Sequence, residues 1–289
     1  GEGYGARFLP RIGEIVVIDF FDGNIDRPFV TGRIHEAERS PTKFDIKGQL
    51  PDTKKLSGIR SKEVAGEGFN QLRFDDTTGQ ISTQLHSSHG ASQLNLGNLS
   101  HPKEQAMSDG RGEGFELRTD QWGAVRGGNG LLFSTYKQKD ANNDVLNIDQ
   151  TIENLKSHKE WNDSFNENLK EHKAMALEAL ATLTKSIDAL EASGKEEEVK
   201  TLKEAIIILT SPSDIILNSS KNVFIQSQQN THISAKENIN MVSDRNIILA
   251  TEKSLSIFSY EELMQLTSAK GKIEIQTHEK SIEMIANEV

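Results

Sequence analysis

The feature that most restricts the fold of this sequence is a repeat of eight residues in its C-terminal part. In each unit the first and third residues are mostly apolar and the fifth is small, so alternate residues share one face of a short strand. Such a unit cannot bury its apolar face alone, and stacked units are expected around a common core. Seven consecutive units, called octads below, begin at Ile215, Val223, Thr231, Ile239, Ile247, Leu255 and Leu263.

The apolar face of the octads is predicted to form the core. The spacing loosens after the seventh octad, but the inner pattern continues at Ile273 and Ile275. Asparagines precede several strands, and we expect them to form the bends because Asn tolerates left-handed backbone angles. These asparagines are Asn222, Asn230, Asn238 and Asn246. The predicted core residues are Ile215, Leu217, Val223, Ile225, Ile233, Ile239, Met241, Ile247, Leu249, Leu255, Ile257, Ile273 and Ile275.

Two closed structures satisfy this repeat. Three octads of one chain can make one turn of a monomeric β-helix, or three chains can each donate one octad to every turn of an intertwined prism. Both remove exposed strand edges. The small fifth position favours close approach to a shared axis, but the spacing alone does not distinguish the two structures.

The N-terminal half is predicted to be β-rich. Two β-rich runs at 15–21 and 29–34 flank a turn at 22–24, which indicates a hairpin. From about 61 to 138 the chain is rich in Gly, Ser, Gln and Asn. Short alternating stretches there, at 81–85, 94–96 and 115–119, predict short strands.

A helical insert interrupts this β pattern. Residues 145–208 lack proline, are rich in Lys, Glu, Ala and Leu, and space apolar residues at three or four. We expect a long amphipathic helix ending at Ser193 and Gly194, followed by a shorter returning helix over 196–206. The fold class is therefore mainly β with a helical hairpin, in predicted regions 1–60, 61–140, 141–210 and 211–289.

Composition narrows the function. Only 35% of residues are apolar and 6% aromatic, which favours an elongated or oligomeric architecture over a large globular core. A net charge of -10 argues against nucleic acid as a partner. With no cysteine, disulfides and thiolate metal sites are impossible. The first residues do not resemble a signal peptide, and the missing initiator Met suggests a fragment.

No catalytic, cofactor or metal site is predicted. The glycines from Gly110 to Gly114 lead into a strand pattern and not into the helix that a dinucleotide loop requires. His86, His89 and His101 have no spacing diagnostic of metal ligands, and a polar-network role is expected. Acids at outer octad positions, which a glycan-cleaving site would need, lie among Lys and Arg and indicate a solvated face. These acids are Glu237, Asp244, Glu252 and Glu261.

Two blocks of the sequence contain distinctive motifs. The first block contains GYGARFLPRIGE at 3–14, GNIDRP at 23–28 and TGR at 31–33. The second block contains GEGFELRTDQWG at 112–123 and GGNGLL at 127–132. These motifs resemble the VgrG family of type VI secretion spike proteins. The first block is similar to the end of the family's OB-fold module, and the second to the junction between the family's needle and its conserved C-terminal extension.

The resemblance implies a homotrimer with a partial OB-fold and an intertwined triple-stranded β-helix. It also implies docking on a tube of Hcp rings, a PAAR-type tip protein and effector cargo. Such a spike is made in the bacterial cytoplasm, secreted, and driven through a target membrane without catalysis. The family's large hub domains do not precede the OB-like segment here.

The helical insert is the expected cargo adaptor, through an amphipathic surface that includes Trp161, Phe165 and Leu169. The alternative function is a β-helical, phage tailspike-like protein that degrades surface glycans or binds a receptor.

Overall fold

The structure is a computed structural model that describes residues 2–44, 55–101, 108–191 and 201–286. The chain forms two compact units, Gly1–Val125 and Arg126–Val289. The described residues are mainly β, with two helices in the second unit. The predicted class, mainly β with a helical insert, is confirmed at this level.

The first unit begins with a β-hairpin. Strand β1, Ile15–Phe20, pairs antiparallel with β2, Pro28–Ile34. The connection reverses through Asp22 and Gly23, which both have positive φ. Asn24 stabilises the reversal by accepting the backbone N–H of Asp26 at its Oδ1, 3.0 Å away. The hairpin predicted around residues 22–24 is confirmed.

A five-stranded antiparallel sheet follows the hairpin. Its strands lie in chain order: β3 Leu56–Lys62, β4 Phe69–Asp75, β5 Ser82–Ser87, β6 Ser92–Ser100 and β7 Gly110–Arg118. The three short strands predicted in this region are parts of β5, β6 and β7. The glycines considered for a nucleotide loop belong to a strand, as the alternation after them predicts.

In the second unit, two short strands enclose the helical segment. Strand β8, Leu131–Ser134, pairs in parallel with β9, Ile207–Thr210. Between them the chain forms α1, Asp149–Glu171, and α2, Leu180–Glu191. The helices are therefore an excursion between two adjacent strands. A small core joins helices and strands: Ile148, Leu190 and Ile208 are buried, with Leu132, Ile152, Leu155, Leu202 and Ile206 packed against them.

The helical prediction was wrong in two respects. The long helix breaks after Glu171, because Lys173 takes a positive φ and His172 packs against the rings of Phe258 and Tyr260. The returning helix over 196–206 is absent from 201–206, where Ile206 accepts a hydrogen bond from the N–H of Leu131 and leads into β9. Residues 196–200 and the predicted helix end at 193–194 lie outside the described residues.

Bends divide the octad segment at regular intervals. They fall at 212–213, 220–221, 228–229, 236–237, 244–245 and 252–253, always eight residues apart. The first of these bends follows β9, so the repeat includes one more unit that begins at Ile207. The octad periodicity of the sequence is thus a periodicity of the backbone.

Candidate functional site

The octad segment leaves its apolar face uncovered. The predicted core residues are between 52% and 69% exposed, and within the described residues 211–286 no strand pairing is formed. A segment with both its apolar face and its backbone hydrogen-bonding groups unpaired needs other strands beside it. The residues concerned are Ile215, Leu217, Val223, Ile225, Ile233, Ile239, Met241, Ile247, Leu249, Leu255, Ile257, Ile273 and Ile275.

The small residue at the fifth position of an octad stabilises the bend. The hydroxyl of Ser219 accepts the N–H of Lys221 at 3.2 Å, and Ser227 and Ser243 make the same contact two residues onward. The bend therefore lies at the sixth and seventh positions. The prediction that asparagines at the eighth position bend the chain through left-handed angles was wrong, since none of them has a positive φ among the described residues.

Helix α1 runs along the octad segment in the same direction as the octads. Near its start, Thr151 is 2.8 Å from Thr210 through their hydroxyls. Further along, the His158 ring nitrogen Nε2 is 2.6 Å from the Ser234 hydroxyl. Just after its C-terminal end, His172 contacts the ring of Phe258. The octad residues in these contacts, 210, 234 and 258, are 24 residues apart, which is three octads.

The helix measures how far the octads advance. From Thr151 to His172, at about 1.5 Å per residue, it rises about 32 Å. Six octads, from 210 to 258, cover the same distance, so each octad advances about 5 Å on average, close to the spacing of one strand in a sheet. The contact at His158 divides this rise into about 10.5 Å and about 21 Å, each over three octads. In a single-chain β-helix, three octads share one strand spacing, and six would advance only about 10 Å.

The five-stranded sheet also has an uncovered apolar face, which the sequence interpretation missed. Ile59, Leu72, Leu85, Leu94 and Leu117 stand directly opposite one another across β3 to β7. Leu117 at the edge is 68% exposed. Leu85, Leu94 and Leu117 fall within the three short strands predicted from the sequence, and their recurrence there is the signal that could have revealed the face.

The opposite face of the sheet carries a ladder of polar side chains. The Gln71 amide donates to Gln84 at 2.8 Å, Gln84 donates to Asn95 at 2.8 Å, and Asn95 donates to Glu116 at 2.9 Å. Arg111 completes the ladder with a 2.6 Å ion pair to Glu116. The hydrogen bond from Arg111 lowers the pKa of Glu116. Side chains that satisfy one another in this way stabilise the sheet.

The histidines considered as metal ligands do not form one site. His86 and His101 line a cavity of about 350 Å³ on the polar face, and His89 lies outside that cavity. Burial, with smaller contributions from the charges of Arg60 and Arg73, lowers the pKa of His86. Within 2–44, 55–101, 108–191 and 201–286, no three His, Cys, Asp or Glu residues cluster as metal ligands would.

The outer acids lie in the bends of the octad segment. Glu237, Asp244 and Glu252 occupy successive bends, one per octad, and Glu261 lies in the next. All four are exposed. This placement spreads the carboxylates along the segment, whereas a glycan-cleaving site needs two of them across one sugar.

The predicted adaptor residues fall into two groups. Trp161 and Phe165 stack with ring centroids 6.0 Å apart and line a groove between α1 and the octads. Leu169 is only 5% exposed, so it offers almost no surface to a partner. Neither described helix has the length and apolarity of a membrane-spanning segment.

Three family models match the chain. Residues 1–35 match the type VI secretion system/phage-baseplate injector OB domain, and residues 62–168 match the putative type VI secretion system Rhs element Vgr. Residues 194–289 match an uncharacterized protein family conserved in bacteria, DUF2345. The chain is also 51% identical, over 138 residues, to the type VI secretion system spike protein VgrG2a of Pseudomonas aeruginosa. These matches make the chain similar to VgrG spike proteins of the type VI secretion system.

The part of this chain that matches VgrG2a is 48% of its length and 16% of the length of VgrG2a. The chain therefore spans only a small part of that relative. Its fold resembles a solved structure described as the VgrG spike from the type 6 secretion system, with a TM-score of 0.69 and 25% identity. That match covers 81% of this chain and 82% of the other.

A second solved structure contains the Tle1 effector bound to the VgrG spike. It matches with the same TM-score of 0.69 and 25% identity, over 81% of this chain and 67% of the other. Relatives of the chain are thus spike proteins, and one is known in complex with an effector.

Proposed function

We propose that this chain is a VgrG protein and forms one third of a homotrimeric puncturing spike, which acts mechanically and delivers effectors. One observation carries this proposal: the octad segment touches α1 only in every third octad, at residues 210, 234 and 258. A helix on one face of a three-sided prism meets its own chain once per turn. Two further strands fit between successive contacts, and neighbouring chains are their natural source.

The exposed apolar residues of the octads are the proposed trimer core. In a closed prism, residues such as Ile225 and Met241 from three chains meet at the axis, and neighbouring chains pair with the free strand edges. The apolar row of the five-stranded sheet, which includes Leu85 and Leu117, is proposed to pack in the same way. Burial of these faces gives a rigid rod, because bending it would break hydrogen bonds between chains.

The proposed action is mechanical. Contraction of the secretion machine drives the rod through a target membrane, and bound proteins travel with it. The chain is proposed to start in the cytoplasm of the producing bacterium, to rest on an Hcp tube, and to carry a PAAR-type tip and effector cargo. The solved complex of a related spike with Tle1 supports effector binding. No residue of this chain is assigned a catalytic role.

Light scattering coupled to size-exclusion chromatography tests the proposal. We expect the mass of three chains, retained after brief treatment with mild detergent, because unfolding requires three chains to separate together. The mass of one chain would contradict the trimer and favour a single-chain protein with the alternative, glycan-directed function.

A further inference from the structure

We infer that the groove beneath α1 is filled by the two neighbouring chains, so that each helical segment straps three chains together. Trp161 is placed over Val242 of one neighbour, and Phe165 over Ile248 of the other. The inference rests on the trimer proposed above. It assigns the groove a partner, a second and a third copy of this chain, in place of effector cargo.

The groove has the size for such an occupant. It measures about 710 Å³ and lies between α1, the connection at 175–179 and the octad segment. Trp161, Phe165 and Met175 line its helical side. The octad side consists of residues 231–235 with Ile239, Thr251, Lys253 and Ser254, so it includes the octad that touches α1 at Ser234 and the bend that leads into the octad of Phe258.

The rise along α1 places Trp161 and Phe165 close to the levels of the two strands that neighbouring chains would add above the octad of Ser234. His158 marks the level of the chain's own strand, through its contact with Ser234. Trp161 lies about 4.5 Å and Phe165 about 10.5 Å further along the helix. These rises correspond to one and two strand spacings of about 4.8 Å.

Three-fold symmetry identifies the octads at these levels. Each octad of a chain lies on the next face of the prism and one strand spacing higher than the octad before it. By symmetry, the strand directly above a given octad on the same face belongs to a neighbouring chain and is the next octad in that chain's sequence. Above the octad of Ser234 on the same face lie one neighbour's octad that begins at Ile239 and the other neighbour's octad that begins at Ile247.

The outward side chains of those octads complement the helix. Val242 and Ile248 point away from the inner face and are 94% and 81% exposed. The octad that touches its own helix instead turns polar residues outward, including Ser234, which contacts His158. The polar residue of the helix thus meets a polar octad, and its two aromatic residues lie level with the apolar ones.

A buried amide in the groove also lacks a partner. Asn162 is 2% exposed, and its Nδ2 atom makes no hydrogen bond to any described residue. A buried donor without an acceptor is costly, and native proteins rarely retain one. Trimer assembly would satisfy this donor only by turning the Asn162 side chain toward the groove, which Asn162 lines.

Site-directed cross-linking tests the inference, because the chain has no cysteine. The double variant Trp161→Cys, Val242→Cys is treated with a short bis-maleimide, boiled in SDS and separated by electrophoresis. We expect bands of two and three covalently joined chains. Each single variant should remain at the mass of one chain, since three-fold symmetry keeps like positions on separate faces.

The pair His158→Cys, Ser234→Cys is the matched control. These positions touch within one chain, so the linker should join them without changing the mass of the band. A bridge that joins positions 161 and 242 of the same chain would overturn the inference. The inference would also be overturned if no bridge formed in a protein whose native mass is three chains. In that case the proposed trimer would stand. A native mass of one chain would refute both.

Discussion

The serine at the fifth position of an octad combines two properties. Its small side chain suits a position near the axis of the proposed prism, and its hydroxyl binds the backbone N–H two residues later, as Ser227 does with Gln229. The sequence interpretation used only the first property. It assigned the bend to asparagines, although a Ser side chain that closes a turn is an equally local and recognisable signal.

Gly97 illustrates a residue whose importance is local and steric. Its φ is +95°, and an added Cβ would lie 2.6 Å from the carbonyl oxygen of Ile81. We expect Gly97→Ala to lower the free energy of unfolding by about 2–4 kcal/mol, from backbone strain and overpacking together. Chemical denaturation measures the change.

Gly79→Ala is the control for that substitution. Gly79 also has a positive φ, +74°, but its Cβ would meet nothing within 4 Å among the described residues. We expect it to lose about 1 kcal/mol, from backbone strain alone. Equal losses in the two variants would show that the predicted collision with Ile81 is not the cause.

His158 should make the contact between helix and octads sensitive to pH. Burial, and then the charges of Lys236 and His232, lower its pKa, so the folded protein favours the neutral ring. The stabilisation is complete above the ordinary pKa of about 6.5. It is lost as the pH falls below that value toward the lowered pKa, because the unfolded chain binds the proton first.

Thermal unfolding at pH 7.5 and pH 5.5 tests this expectation. The melting temperature of the unmodified protein should fall between the two values. His158→Gln keeps a side-chain donor near Ser234 but cannot titrate, so its decrease should be smaller. An equal decrease in both proteins would assign the pH dependence to other groups.

The elements were predictable where their pattern is local. The hairpin from β1 to β2 follows from two β-rich runs and a turn, and the start of α1 follows from spaced apolar residues. The break between α1 and α2 does not, because the sequence around Ala174 favours a helix. The contact of His172 with Phe258 and Tyr260, distant in sequence, accompanies the break.

Removal of the helical segment should leave the octads able to assemble. Deletion of residues 136–211 joins Thr135 to Pro212. Strand β8 then leads into the octads in place of β9, because the two strands pair in parallel with Ser134 opposite Thr210. Leu132 loses its apolar cover and is changed to Thr. Light scattering should still give three chains, and circular dichroism should lose the helical signal.

A matched comparison makes the deletion informative. The shortened trimer should dissociate faster in detergent than the full chain, because the straps between its chains are gone. A shortened protein with the mass of one chain would mean that the helices, and not the octads, hold the trimer together.

At the scale of the whole molecule, the sequence predicts the repeat but not whether one chain or three chains form each turn around the core. Both a single-chain β-helix and a three-chain prism repeat every eight residues. The advance per octad distinguishes them, and it depends on where α1 touches Thr210, Ser234 and Phe258. No interpretation of the octads alone contains those contacts.

An inward charge should prevent assembly while an outward one is tolerated. Ile225→Asp would place three carboxylates together at the proposed axis, at a cost of several kcal/mol for each buried charge. We expect loss of the three-chain mass in light scattering. Its neighbour Gln226 points outward, and Gln226→Asp should keep that mass. If a single chain kept the structure described here, both variants would be tolerated, since Ile225 is 68% exposed in it.

The resemblance of one octad to the next creates a difficulty for assembly that the helix can solve. Three chains of similar repeats can align one octad out of frame and still bury most of their apolar rows. A slip of this kind changes the side chain beneath Trp161, from Val242 to a residue of another octad. In the proposed trimer, helix α1 would thus fix the register, and the fidelity of alignment among the chains would depend on an element outside the repeat itself.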